Sequence, residues 1–243
     1  YTLSLHDALP ICCHTISMDN CFKSLSDEER ELASQGKVDL ESPDRIDKEL
    51  LNVQIEAIED CLPIEIPKYD FAKSARSDET KPFERKHGDA VIFEGIHALN
   101  PDVITVPDSK LYKLYVSVRT RITKEGIVLN PAKIRLMRRM IRDRNFRKRK
   151  LEETMSMYNS VQSGENKYIM PYKTRSDFDI DTFLAYEMSV YRYNLLDDLR
   201  LMENKQELSD VIEILSSLAP MDNELVPRDA LIREFIGKGE FKY

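Results

Sequence analysis

The sequence predicts an α/β fold: a mostly parallel sheet flanked by helices, followed by a helical C-terminal extension. Three observations carry this. Residues 89–97 (D-A-V-I-F-E-G-I-H) include an unbroken run of β-branched and aromatic positions without alternation, the pattern of a strand covered on both faces. Strand-like and helix-like segments alternate through most of the chain, which favours parallel pairing. With 243 residues, 42% hydrophobic and 33% charged, the chain can bury a core of ordinary size and is not globally disordered.

In order, residues 13–18 read as a short strand that delivers Asp19 and Asn20 to its C-terminal end. Residues 23–37 are polar and Ser-rich, an exposed helix or a loop. A turn around Ser42-Pro43 leads into a helix over 44–59, with Ile46, Leu50, Leu51, Val53, Ile55 and Ile58 as its apolar positions. Pro63 and Pro67 flank Ile-Glu-Ile, which marks 62–76 as an edge strand or hairpin arm, with 74–87 as the hairpin's return or a loop. The 89–97 strand ends at Glu94 and Gly95. Ligands in parallel sheets bind beyond the carboxyl ends of strands, and the glycine permits a sharp turn or a close approach. Residues 111–118 alternate as a strand, and 121–130 read as a loop.

Residues 133–150 hold ten Lys/Arg in eighteen positions. At helical spacing Arg135, Arg138, Arg139 and Arg142 share a fan of about 100° opposite Ile134, Met137, Met140 and Ile141. This is an amphipathic helix with an arginine face. A helix over 151–160, a loop over 168–175, a strand at 178–181 and helices over 183–202 and 206–218 complete the pattern. The tail from 230 on contains L-I-R-E-F-I-G and ends F-K-Y.

The net charge of −7 argues against a general nucleic-acid or membrane-surface binder. No apolar run reaches the length of a membrane span. The four cysteines, Cys12, Cys13, Cys21 and Cys61, form no C-x-x-C pair, so neither zinc nor a disulfide framework is indicated and a cytoplasmic location is expected.

Carboxylates at strand ends, an aromatic hairpin segment and an arginine helix are the mixture that phosphoryl transfer requires. One acid accepts the proton of the attacking hydroxyl, another helps hold Mg²⁺, and arginines balance phosphoryl charge through their planar fork. The segments T-I-S-M-D-N (15–20), 38–47, P-K-Y-D-F (67–71), V-I-F-E-G-I (91–96) and R-L-M-R-R-M-I-R-D (135–143) resemble, in order and spacing, the motifs of uridine kinases. These belong to the phosphoribulokinase/uridine kinase family of P-loop kinases. The tail is similar to that of a bacterial uridine kinase-like subgroup.

The resemblance implies a P-loop kinase-type sheet over residues 12–202, with 203–243 as the extension. It implies ATP and Mg²⁺ as cofactors and a nucleoside, uridine in the first place, as phosphate acceptor. Asp19 would be the general base on the 5′-hydroxyl and lie close to Mg²⁺. Glu94 would be the acid after the Walker B-like strand, on the metal side. Glu41 would contact the ribose hydroxyls, and Tyr69 would line the base pocket, its alternative being an aromatic packed on the hairpin. Arg139 and Arg142 would face substrate and phosphates, with Arg142 catalytic. Arg147 and Arg149 would belong to a lid over ATP. A homo-oligomer is compatible with all of this.

Three positions depart from the family pattern. Cys21-Phe22 stand where many members carry a tyrosine, Ser74 replaces a base-pocket histidine, and Lys148 replaces a lid glycine. The first two put pyrimidine specificity in question. No G-x-x-x-x-G-K-[ST] occurs in the chain, although that loop is what cradles the phosphates. Residues 1–11 begin with Tyr, lack a basic n-region and read as a non-native leader resembling a translated sequencing adaptor. The expectation is an N-terminally truncated copy that binds ATP poorly and has no useful kinase activity. The alternatives are another kinase of the phosphoribulokinase or pantothenate kinase type, a non-catalytic RNA- or nucleotide-binding module built on 133–150, and a pseudokinase that has lost the loop.

Overall fold

The structure is a computed structural model that describes residues 12–35, 37–202 and 205–241; the expected leader, 1–11, lies outside them. The chain divides into two compact units. One comprises the described residues up to Lys113 together with Gly164–Asp177; the other comprises Leu114–Ser163 and the described residues from Phe178 on.

The first unit contains β1 (Cys13–Ser17), α1 (Asp27–Ser34), α2 (Lys48–Glu59), β2 (Ile64–Asp70), β3 (Ala75–Phe83) and β4 (Ala90–Glu94). The polar 23–37 stretch resolves into a helix because Ser26 and Glu29 form a reciprocal capping box. The Asp47 side chain caps α2 by accepting from the Leu50 amide at 3.1 Å. β2 and β3 form the expected antiparallel hairpin. β1 and β4 pair in parallel, with Ser17 opposite Glu94, so both chain ends that carry acids leave the sheet on the same side.

β4 differs from the expectation of a strand covered on both faces. Val91 and Phe93 pack with Ile16, Ile58 and Ile66, whereas Ile92 is 46% exposed. Among the described residues β4 pairs only with β1, and one face alone is covered. A second cluster under α2 joins Leu51 and Ile55 to Met18, Ile46 and Val103.

The second unit contains β5 (Leu114–Ser117), β6 (Ile122–Lys124), β7 (Ile127–Leu129), α3 (Pro131–Arg147), α4 (Leu151–Tyr168), β8 (Phe178–Asp181), α5 (Glu187–Leu201), α6 (Ser209–Ser216) and α7 (Arg233–Ile236). The division between the units falls within α4. β5 and β8 pair in parallel, so the parallel pairing expected of this α/β chain occurs in both units. Residues 121–130 are not a loop. They form the β6–β7 hairpin, turned by Glu125 and Gly126 at φ 49° and 86°, the two positive values that a tight hairpin with matching twist requires. Strands of three residues are too short for an alternation pattern to reveal.

α3 starts two residues before the expected 133, with Asn130 accepting from the Lys133 amide and Pro131 in the first turn. Its Ile134, Met137, Met140 and Ile141 are buried in one core with Tyr191, Leu195 and Leu199 of α5 and Val211, Ile214 and Leu215 of α6. Lys133 also bonds both carboxylate oxygens of Asp210 on α6, at 2.6 and 2.7 Å.

Candidate active site

In the first unit the site grows from the end of β1. The strand stops in a 3-10 turn, Met18–Cys21, that buries Met18 and Cys21 and leaves Asp19 between them. Three elements fix this turn. Arg76 of β3 donates to the carbonyls of Cys21 and Phe22, both at 2.8 Å, and to Asp47 at 3.1 Å. The Asp47 amide donates to the Cys21 carbonyl at 2.8 Å. Gly95 meets the turn directly: a Cβ there would lie 2.9 Å from Met18 Cβ. The glycine is needed for the close approach of two chain segments, and no turn at positive φ is involved.

Asp19 is half-buried. Burial, then the Glu94 carboxylate, then that of Glu41 raise its pKa above the ordinary value. Three acids from β1, β4 and the 38–47 segment therefore sense one another, and the like charges favour a protonated or cation-bound Asp19. Glu94 is exposed and Glu41 half-buried. Among the described residues no group of three or more His, Cys, Asp or Glu is placed to enclose a metal ion. Two acids suffice for Mg²⁺, which is commonly held by one or two carboxylates together with substrate phosphates; Asp19 and Glu94 fit that role.

Glu41 is held from two sides. A Cβ on Gly164 of α4 would fall 2.7 Å from Glu41 Cβ, so helix and loop touch there. His97, 2% exposed, bonds the Glu41 backbone, yet burial outweighs this and lowers the imidazole pKa. Its Nδ1 is buried without a partner among the described residues. The same loop is tied to α4 by Tyr168, whose hydroxyl donates to Asp39 at 2.6 Å.

Tyr69 is 9% exposed. Its ring contacts Phe22 and Phe71 edge-on, with centroids at 5.6 and 5.1 Å, and Arg45 donates to its hydroxyl at 3.3 Å. Its amide donates to Asn20 beside Asp19 at 3.4 Å. Burial pushes the Cys21 thiol up to about 11, which makes it an inert packing group.

In the second unit the arginine face is smaller than the helical wheel predicts. Arg138 is 8% exposed and faces inward. It bonds the fully buried Glu187 at 2.8 Å, the Thr182 carbonyl at 2.7 Å and the Tyr191 hydroxyl at 3.2 Å. Its stem lies between the two faces, and a buried acid on α5 recruits it. Arg139 and Arg142 are half-buried. Arg142 Nη1 lies 3.4 Å from Glu234 of α7. Arg147 and Arg149 both turn to Asp143, at 3.0 and 3.4 Å, and Thr154 adds a third donor at 3.2 Å. Asp143 is fully buried; it gathers the two arginines assigned to the lid.

Arg76, Asp143 and the burial of His97 are the features the sequence reading missed. A lone arginine in a hairpin return gives no pattern. Asp143 follows Arg142 directly, and that adjacency was its only signal. Lys148 closes α3 with φ 54°, the left-handed conformation that glycine accepts without strain.

The family model described as the phosphoribulokinase/uridine kinase family matches residues 6–187. The chain belongs to the phosphoribulokinase/uridine kinase family. Among curated relatives of this family member, the uridine kinase of Staphylococcus carnosus is 32% identical over 145 residues, 59% of this chain and 62% of that one. The uridine kinase of Lactobacillus helveticus is 33% identical over 143 residues, 58% and 60%. The uridine kinase of Borrelia hermsii is 32% identical over 166 residues, 68% and 71%. The chain thus spans about three fifths of the length of the first two. No described helix is long and apolar enough to cross a membrane.

Proposed function

We propose that the chain belongs to an ATP-dependent kinase that phosphorylates the 5′-hydroxyl of a nucleoside, uridine being the first candidate, in the cytoplasm. The observation that carries this is the convergence of Asp19, Glu94 and Glu41, with the Asp19 pKa raised by burial and by the other two carboxylates. A carboxylate with raised basicity at a strand end suits a general base. Asp19 accepts the hydroxyl proton, Glu41 holds the ribose hydroxyls, and Tyr69 with its Phe22 and Phe71 neighbours bounds the base. Asp19 and Glu94 would hold Mg²⁺, which supplies charge neutralisation to the phosphates. Arg139 and Arg142 balance phosphoryl charge. Arg147 and Arg149, gathered on Asp143, serve phosphate binding.

As these 243 residues, the chain has no G-x-x-x-x-G-K-[ST], and the proposal includes negligible ATP turnover by it. The test has two arms. The 243-residue chain is assayed for uridine-dependent ADP release; robust turnover refutes the inactive reading. A chimera that adds the phosphate-loop strand and helix of a relative is assayed with uridine, cytidine, ribulose 5-phosphate and pantothenate. Nucleoside-dependent turnover that Asp19→Asn lowers at least about a hundredfold supports the kinase reading, and turnover only with a non-nucleoside acceptor replaces it.

A further inference from the structure

The C-terminal tail has no part in the proposed chemistry, yet it is built onto the arginine helix. With α3 it encloses a cavity of about 490 Å³ lined by Arg142, Phe146, Arg147, Glu234, Lys238 and Phe241, within the size range of small-ligand sites. The tail is fixed in place. Arg233 is 5% exposed and donates to the carbonyls of Asn223, Val226, Pro227 and Gly237. Asn145 of α3 donates to the Phe235 carbonyl at 3.1 Å. A Cβ on Gly237 would lie 3.3 Å from the Phe146 ring, so the ring abuts the tail backbone.

The lining is an unusual mixture. Phe146 and Phe241 are 56% and 59% exposed, and Phe146 stands in a run of arginines where it adds little to the core. Arg142 Nε is buried with no hydrogen-bond partner among the described residues. The Arg142–Glu234 contact of 3.4 Å is longer than the 2.7–2.9 Å of a strong charge-assisted bond. Glu234 is thus a loose carboxylate on a guanidinium whose fork suits phosphate. Among the described residues Lys238 pairs with Glu224 at 2.8 Å, an exposed contact of the kind that contributes little and yields easily.

We propose that α3 and the tail form a nucleotide-binding pocket. Arg142, Arg147 and Lys238 take the phosphates, Phe146 and Phe241 take the base by stacking, and Glu234 keeps Arg142 in place until a phosphate displaces it. This rests on the kinase reading only for the phosphate affinity of Arg142 and Arg147. Phe146, Lys238 and Phe241 have no role in that reading. Cations beside exposed aromatic rings also suit single-stranded RNA, but the cavity is of ligand size and the chain carries −7, which favours a mononucleotide.

The test titrates metal-free ATP into the full 243-residue chain, followed by NMR shifts. The expected result is weak, saturable binding that moves amides of α3 and the tail. Phe146→Ala and Lys238→Glu each weaken it about tenfold, Glu234→Gln tightens it, and Asp19→Asn leaves it unchanged. Phe146 and Lys238 are exposed, so these variants keep the fold, which circular dichroism checks. Absence of saturable binding, binding that neither Phe146→Ala nor Lys238→Glu weakens, or tighter binding of a single-stranded RNA oligomer overturns the proposal. Phosphotransfer by the chimera decides the kinase reading separately. Its failure leaves this binding in place, and loss of this binding leaves nucleoside-dependent turnover in place.

Discussion

The two units treat charge in opposite ways. In the first, burial raises the Asp19 pKa, and the like charges of Glu94 and Glu41 raise it further. In the second, an arginine-rich helix is folded into a large core, and Arg138, Arg142, Arg147 and Arg149 each have a carboxylate partner. The acids repel one another and the arginines are paired. Like charges held together against their repulsion mark a place prepared for a proton or a cation. A buried cation paired with a buried acid is first of all part of the fold, whereas a cation that stays exposed or loosely paired is open to a ligand. Arg138 belongs to the fold; Arg142, in contact with Glu234 at 3.4 Å, is the more loosely paired of the two.

The largest effect that distinguishes these classes is expected at Glu187. Glu187→Ala strips the partner from Arg138 inside the core and leaves a buried guanidinium uncompensated. The expected loss is about 3–5 kcal/mol, measured by denaturant unfolding, whereas Glu234→Ala at the looser pair costs no more than about 1 kcal/mol. Equal losses at the two positions would erase the distinction between structural and ligand-ready arginines.

In the first unit the close approaches replace ion pairs as the means of holding the acids. Gly164→Ala forces its Cβ against Glu41, an overpacking that costs about 1–3 kcal/mol, offset by about 1 kcal/mol of gained helix propensity. The prediction is a small net destabilisation with a larger fall in nucleoside affinity, since Glu41 is displaced. Uridine binding that survives the substitution unchanged separates Glu41 from the ribose site.

Asp19→Asn tests the repulsion itself. A carboxyl whose pKa is raised by folding binds its proton more readily in the folded state than in the unfolded chain. Its contribution to stability is full below the unfolded value of 3.8 and is lost as pH rises through the folded value. At neutral pH the charged Asp19 is therefore a cost, and Asp19→Asn raises Tm there but not in acid below the ordinary Asp range. Thermal unfolding across pH reads this directly. A variant that lowers Tm at neutral pH would show that hydrogen bonding to the carboxylate outweighs the repulsion from Glu94 and Glu41.

Much of this was legible in the sequence because it is periodic or punctuated. The apolar face of α3, the β2–β3 hairpin between prolines, and the strand that delivers Asp19 all follow from spacing. What stayed hidden depends on partners distant in the chain. Arg138 lies between the two faces of its helix, and only Glu187, forty-nine positions away, decides that it turns inward. Arg76 is a lone residue whose three acceptors come from the Asp19 turn and the α2 cap. The contacts that require Gly95 and Gly164 leave no pattern either, since a glycine that admits a neighbouring side chain reads the same as one that turns the chain. Composition predicts β4 buried on both faces, whereas Ile92 is exposed, because composition records what a strand can bury and not what lies over it.

The smallest predicted effect is at Lys148, and it bears on the boundary between the paired arginines and the lid. Lys148 closes α3 in the left-handed region, with its amide bonded to the Asp143 carbonyl. A non-glycine residue there pays for its Cβ, so Lys148→Gly relieves strain at the helix end while the glycine loses more backbone freedom on folding. The Cβ in the left-handed region costs roughly 1–2 kcal/mol and glycine's extra backbone freedom roughly 0.5–1 kcal/mol, so the balance favours glycine by about 0.5–1 kcal/mol in denaturant unfolding. Arg147 and Arg149 flank this residue and both reach Asp143. A substitution that stabilises the helix end without loosening those pairs leaves the arginine side-chain NMR resonances in place. If Lys148→Gly instead broadens the Arg147 and Arg149 resonances and gives no gain in stability, the lysine backbone is what holds the two arginines on Asp143, and the segment is restrained by its strain.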